Sequence, residues 1–261
     1  MSDSVLTHLD DRGIATLTLN RPTVANAYDD QVIYSLITAL DDYANNTDVR
    51  MLVMNATGSH FCSGADAHWI REVVSAGVTA NRNDATQLAR LMATLYHFPV
   101  PIIASVQGNA YGGAVGIIAC CDIVVATSNS QFYINDARLG LAPAIISPYL
   151  IKAIGEKAAR FHALTTRPFT AIKAMKMGLV SQVVEREELK EATQLVVDDI
   201  LNLSPVAVRQ TKAIIQYSAN EVYDESMVDV TVEYLTELRA SEECLEGLNA
   251  FIQKRNPRWQ G

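Results

Sequence analysis

The chain has few cysteines, a shortage of positive charge and no long apolar run, and each shortage removes a class of protein. Its four cysteines, Cys62, Cys120, Cys121 and Cys244, show no CxxC spacing and no paired histidines nearby. A metal site or a disulfide framework is therefore not expected, and a reducing compartment is the default. Lysine and arginine total 21 against 29 aspartates and glutamates, a formal net charge of -8. Holding a nucleic-acid backbone takes clustered cations, so no nucleic-acid partner is expected. No stretch approaches the ~20 apolar residues that span a bilayer, which argues against a membrane partner. The opening MSDSVLTHLDD lacks the basic and apolar regions of a secretory leader and is too acidic for a transit peptide. The expectation is a cytoplasmic protein.

What is present is globular: 261 residues, 49% hydrophobic and 19% charged, enough to bury one substantial core. Val5 to Leu9 and Ile14 to Leu19 read as a hairpin turned at Asp11-Arg12-Gly13. A helix starts near Asp29, with Val32, Ile33, Leu36, Ile37 and Leu40 on one face. Val49 to Asn55 reads as a strand and residues 58–66 as a loop. Strand Ile102 to Val106, a glycine-containing run, an apolar helix to about Cys121 and strand Ile123 to Ala126 follow. Strands alternating with helices imply parallel pairing. Beyond residue 150, apart from a strand-like Leu179 to Val184, the chain reads as helices over 187–203, 205–218, 224–239 and 241–254. The expected organisation is an α/β core over residues 1–195 and a C-terminal helical region over 196–261.

Two loops carry the chemistry. His60-Phe61-Cys62-Ser63-Gly64-Ala65-Asp66 follows a buried strand, and Gly108-Asn109-Ala110-Tyr111-Gly112-Gly113 joins a strand to a helix. Each can leave a main-chain N–H free at the end of a parallel strand, where ligands bind in open α/β sheets. The second N–H also sits at a helix N-terminus, which favours negative charge. Two such donors on one oxygen make an oxyanion hole, and losing one costs ~2.7–4 kcal/mol of transition-state stabilisation. The plain alternative is that Gly64 serves a turn and Gly112-Gly113 allow close helix–strand packing.

Taken in order, these loops resemble the crotonase (enoyl-CoA hydratase/isomerase) superfamily. The resemblance also rests on Asn20-Arg21-Pro22 with Asn26-Ala27, on Cys121-Asp122, on Phe132 with Arg138-Leu139-Gly140, on Ala171 to Val184, and on Glu246 through Arg255. It implies a spiral of ββα units with a C-terminal helical trimerisation region, assembled as a homotrimer or dimer of trimers. It implies an acyl-CoA substrate, with coenzyme A part of the substrate and no other cofactor. By the same match the N–H groups of Ala65 and Gly113 bind the thioester oxygen. Ala27, Ala65, Asp66, Ala67, His68 and Gly113 line the substrate channel, and Lys254 approaches the adenine-phosphate end of the coenzyme.

Hydratases of this family usually carry two glutamates. The first would stand at Gly116, which has no side chain, and the second at Asp136, one methylene shorter. Gly112 to Gly116 together with the run Arg138 to Tyr149 resemble the bacterial 3-methylglutaconyl-CoA hydratase and carboxygeranoyl-CoA hydratase group. That group likewise has glycine at the first position. Asp136 is then the catalytic acid/base, its pKa raised by neighbours such as Phe132, Ile134 and Leu141; the alternative is a helix cap or a solvated loop carboxylate. The implied reaction is addition of water to an α,β-unsaturated acyl-CoA, 3-methylglutaconyl-CoA or a similar branched carboxylated one. Isomerisation using one carboxylate, and acyl-CoA binding without chemistry, are the alternatives. Arg71 and Glu72 read as helix surface, and His97 and His162 as structural.

Overall fold

The computed structural model describes residues 3–221 and 223–260. Two compact units divide the chain. Residues 1–98 with 102–193 form the first, and residues 99–101 with 194–261 the second.

The first unit is built on a six-stranded sheet in the order β1-β2-β3-β4-β6-β9: β1 (Val5–Leu9), β2 (Ile14–Leu19), β3 (Met51–Ala56), β4 (Ile102–Val106), β6 (Ile123–Thr127) and β9 (Gln182–Val184). Only β1 and β2 pair antiparallel; the other neighbours are parallel. Strands covered on both faces need continuous apolar runs, and β4 is buried at all five positions. A second, three-stranded sheet joins β5 (Ala110–Tyr111), β7 (Gln131–Tyr133) and β8 (Phe169–Thr170).

Helix α1 (Asp30–Ala44) starts where the Asp29 side chain accepts a hydrogen bond from the Val32 amide. It buries Val32, Ile33, Leu36, Ile37 and Leu40, the face read from the sequence. After β3 come α2 (Ala67–Ser75) and α3 (Val78–Tyr96), and α4 (Gly113–Ala119) follows β5. Helices α5 (Ser147–Thr165) and α6 (Ala171–Met177) lead to β9. The strand expected over Leu179 to Val184 is only Gln182–Val184, because Gly178 ends α6 in a left-handed cap and Leu179 bonds back to the Ala174 carbonyl.

Helix α7 (Leu189–Leu201) passes from the first unit into the second, which also holds α8 (Pro205–Asn220), α9 (Glu225–Arg239) and α10 (Glu242–Gln253). Within the second unit, the carboxylate of Glu246 takes two charge-assisted bonds from Arg255, at 2.7 and 2.9 Å, and a third from the Arg258 amide. Such bidentate pairing is the strong form of the arginine–carboxylate interaction, and it holds the Glu246 carboxyl down at about 2. Among the described residues no helix is long and apolar enough to cross a membrane.

Candidate active site

The two sequence loops lie side by side in the first unit. The amides of Phe61 and Cys62 both donate to the Asn109 carbonyl, at 3.1 and 3.2 Å, and the Tyr111 amide returns a bond to Cys62. Gly64 sits at φ 88°, a conformation that favours glycine. A Cβ there would lie 2.8 Å from the Tyr111 carbonyl oxygen. Loop one therefore passes directly over loop two, which only glycine at position 64 permits.

A third segment closes the group. Tyr28 forms a single parallel bridge with Ala65: its amide donates to the Gly64 carbonyl, and its carbonyl accepts from the Asp66 amide. Successive peptide groups in extended chain point to opposite sides. With its neighbours turned toward Tyr28, the Ala65 N–H faces the other way. Gly113 opens α4, so its N–H is one of the first-turn amides that lack an acceptor within the helix. Among the described residues neither amide donates a hydrogen bond. Both are half-buried. Free amides on adjoining loops can donate to an oxygen that is gaining negative charge.

The segment leading to Tyr28 is held by Asn26 and Arg21. Asn26 is buried, accepts from the Arg21 amide and donates to the Thr57 and His60 carbonyls, at 2.8 and 2.9 Å. The Arg21 guanidinium bonds the Ala27 carbonyl and the Asp29 carboxylate, both at 2.7 Å, and reaches Asp66 at 3.8 Å. The sequence motif over these residues is thus a brace between two of the site's segments. Asp66 caps α2, accepting from the His68 and Trp69 amides. Ala67 and His68 are exposed on the first turn of that helix, and Arg71 and Glu72 are exposed beyond it. His97 caps the end of α3, and His162 is buried with Nδ1 on the Arg167 carbonyl. Both hold structural positions. Lys254 lies in the second unit, exposed, as the left-handed cap of α10.

Asp136 begins a one-turn 3-10 helix over Asp136–Leu139, just after β7. Phe132 and Ile134 before it are fully buried, whereas Leu141, expected to help enclose it, is 47% exposed. Leu141 is therefore not part of a closed wall around the carboxyl. One oxygen of Asp136, Oδ2, is nevertheless buried without a partner, and burial pushes the carboxyl above the usual aspartate range. Nearby Arg138 is engaged elsewhere, donating to Thr166 and lying over the Tyr133 ring.

Gly116 is buried on α4. A Cβ there would overlap Ile146, with the Ile146 Cβ only 2.6 Å away. The volume that a side chain at residue 116 would occupy belongs to a side chain from the run just before α5. The two sequence features, glycine at 116 and the Pro143 to Tyr149 run, are one packing arrangement.

Sequence reasoning missed Tyr28. It is 3% exposed, its ring meets Trp69 edge-on at 6.4 Å, and its hydroxyl abuts Gly113. Burial, with the nearby charge of Asp136, drives the phenol pKa upward, so it keeps its proton. The one available signal was a polar aromatic placed directly after Asn26-Ala27. A chamber of about 610 Å³ opens beside Trp69, between α1, α2 and α3, lined among others by Asp30, Tyr34, Asn83, Asp84 and Gln87. It was also unread. No lysine or arginine lines it, and burial together with the Asp30 charge pushes the Asp84 carboxyl up.

A two-sheet α/β core with a helical C-terminal region, and paired loops that present free amides near a half-buried carboxylate, define a crotonase-type fold. Residues 10–261 match the family model described as enoyl-CoA hydratase/isomerase, and the chain belongs to that family. The crystal structure of an enoyl-CoA hydratase from Shewanella pealeana superposes with a TM-score of 0.93 and 37% identity, over 98% of this chain and 96% of that one. The 2,3-dehydroadipyl-CoA hydratase of Escherichia coli is 31% identical over 95% of each chain. The trans-2-decenoyl-[acyl-carrier-protein] isomerase of Streptococcus mutans is 28% identical over 96% of each.

Proposed function

We propose that this protein is an enoyl-CoA hydratase-type lyase in which the amides of Ala65 and Gly113 stabilise an enolate at the thioester oxygen and Asp136 handles the proton. In this reading the Asp136 carboxylate takes a proton from water as the hydroxyl adds to Cβ. The electron pair of the double bond moves onto the thioester oxygen, and the enolate collapses as Cα receives the proton. The observation that carries it is the pair of free amides on adjoining loops with a buried, partnerless carboxylate oxygen nearby. Ala27, Asp66, Ala67 and His68 are the neighbouring channel residues, and Lys254 is the cation for the adenine-phosphate end.

The substrate proposed is 3-methylglutaconyl-CoA or a similar branched carboxylated acyl-CoA. Support comes from Gly116 and its Pro143 to Tyr149 companion run, and from a relative whose name denotes a dicarboxylic acyl chain. The exposed apolar stripe Val228, Val232 and Leu235 on α9 supports assembly as a homotrimer or dimer of trimers. The proposed setting is the cytoplasm.

One observation favours a second reading. With Ile146 filling the space of a first carboxylate, Asp136 is the one acid left at the two family positions, and one carboxylate suffices to move a proton between two carbons. The test is turnover of an enoyl-CoA panel that includes 3-methylglutaconyl-CoA, run in oxygen-labelled water. A product heavier by one labelled water is expected. Deuterium exchange into carbon with no hydroxyl oxygen gained selects the isomerase, and acyl-CoA binding without turnover rejects both.

A further inference from the structure

We infer that the Tyr28 hydroxyl is a third hydrogen-bond donor to the reacting acyl group, acting beside the two main-chain amides. The inference rests on the oxyanion reading above and extends it to a side chain. Tyr28 is 3% exposed as a residue, and among the described residues its hydroxyl makes no hydrogen bond yet is not one of the fully buried unpaired atoms, so it keeps access to the site. A donor that keeps access to the site and has no protein partner can bond a ligand there, which phenylalanine at this position could not do. The hydroxyl is therefore a group waiting for a partner that the protein does not supply.

Its position says what the partner is. The main chain of Tyr28 is bridged to Ala65, the ring is held edge-on by Trp69, and the hydroxyl lies against Gly113. One residue thus spans both amide-bearing loops. Asp136 is close enough for its charge to act on the phenol. Burial keeps the phenol protonated, so the group is a donor at every working pH and never a base. A fixed donor at that place fits an acyl oxygen that gains negative charge.

The test uses the whole protein with Tyr28→Phe, and a second form carrying 3-fluorotyrosine at position 28, a stronger donor in the same volume. Two readings are taken: the kcat and KM split on the best enoyl-CoA, and the infrared carbonyl band of a bound saturated acyl-CoA carrying carbon-13 at the thioester. For Tyr28→Phe, kcat is expected to fall roughly 10- to 100-fold, with KM changed by less than about threefold. The carbonyl band should move back toward its position in free acyl-CoA, and fluorotyrosine should move it the other way. A Tyr28→Phe protein with the wild-type kcat and carbonyl band overturns the inference alone. A wild-type protein that leaves the bound carbonyl unshifted overturns the inference together with the oxyanion reading beneath it.

Discussion

The hydroxyl of Tyr28 occupies the space that a Cβ at residue 113 would need, and the ring carbon bearing it lies only 2.9 Å from that position. Gly113 is therefore small for a reason of volume, not of backbone angle. Gly113→Ala should displace Tyr28, overpack the site at a cost of roughly 1–3 kcal/mol, and lower kcat by about 100-fold if the amide moves with it. Adding Tyr28→Phe removes the overlapping oxygen and should return part of the lost Tm. A double-mutant cycle on Tm measures this coupling, and strict additivity would show that the two residues do not meet.

Asp136 yields a prediction with a sign in pH. Its carboxyl is pushed up by burial, so the folded protein holds that proton more tightly than the unfolded chain does. The stabilising contribution is present below the ordinary aspartate pKa and is lost as pH rises through the raised folded value. Asp136→Asn should therefore give a Tm at neutral pH equal to or above that of the wild type. Its kcat should drop by about 100-fold or more, and the acidic limb of the pH–rate profile should disappear.

The chamber beside Trp69 makes a prediction about substrate charge. An acyl chain that ends in a carboxylate and enters this space meets Asp84 and Asp30. Removing one charge by Asp84→Asn should lower KM for 3-methylglutaconyl-CoA about fivefold, from Coulomb repulsion over several ångströms in a wet site. KM for a neutral enoyl-CoA should stay the same. Equal effects on both substrates would place the chain terminus elsewhere.

In the second unit, Glu246 binds Arg255 and the Arg258 amide, and its carboxyl lies at about 2. A depressed acid stabilises above its unfolded pKa, and that contribution fades as pH falls toward the folded value. Glu246→Gln should lower Tm at pH 7, and the gap between variant and wild type should close on acidification from about pH 4.5 to pH 2. Thermal melts followed across that range check it.

Much of this architecture is legible in the sequence wherever period and punctuation agree. The hairpin over Val5–Leu9 and Ile14–Leu19 has turn chemistry between alternating runs, and α1 has Asp29 before a single apolar face. Helices α8, α9 and α10 fall within two residues of their expected bounds. The small sheet β5-β7-β8 was not legible, because strands of two or three residues carry no measurable alternation. The start of α3 is similarly quiet: its first half is polar, and only Leu91, Met92 and Leu95 are buried.

The candidate site divides along the same line. Ala65, Gly113, Asp136 and Gly116 stand at positions set by family motifs, so the sequence names them. Tyr28 and Ile146 matter through contacts with Gly113 and Gly116, residues 85 and 30 positions away along the chain. No local pattern encodes such meetings. They follow only from the bridge that brings residue 28 to residue 65, and from the turn that brings residue 146 over α4.

The seating of Ile146 over Gly116 also constrains what single substitutions can do. A carboxylate placed at 116 alone would strike a side chain already lodged there, and shrinking Ile146 alone would leave a hole in the core. Either order passes through a weakened intermediate. The pair is thus a two-residue lock: a carboxylate at 116 needs a smaller residue at 146 to go with it.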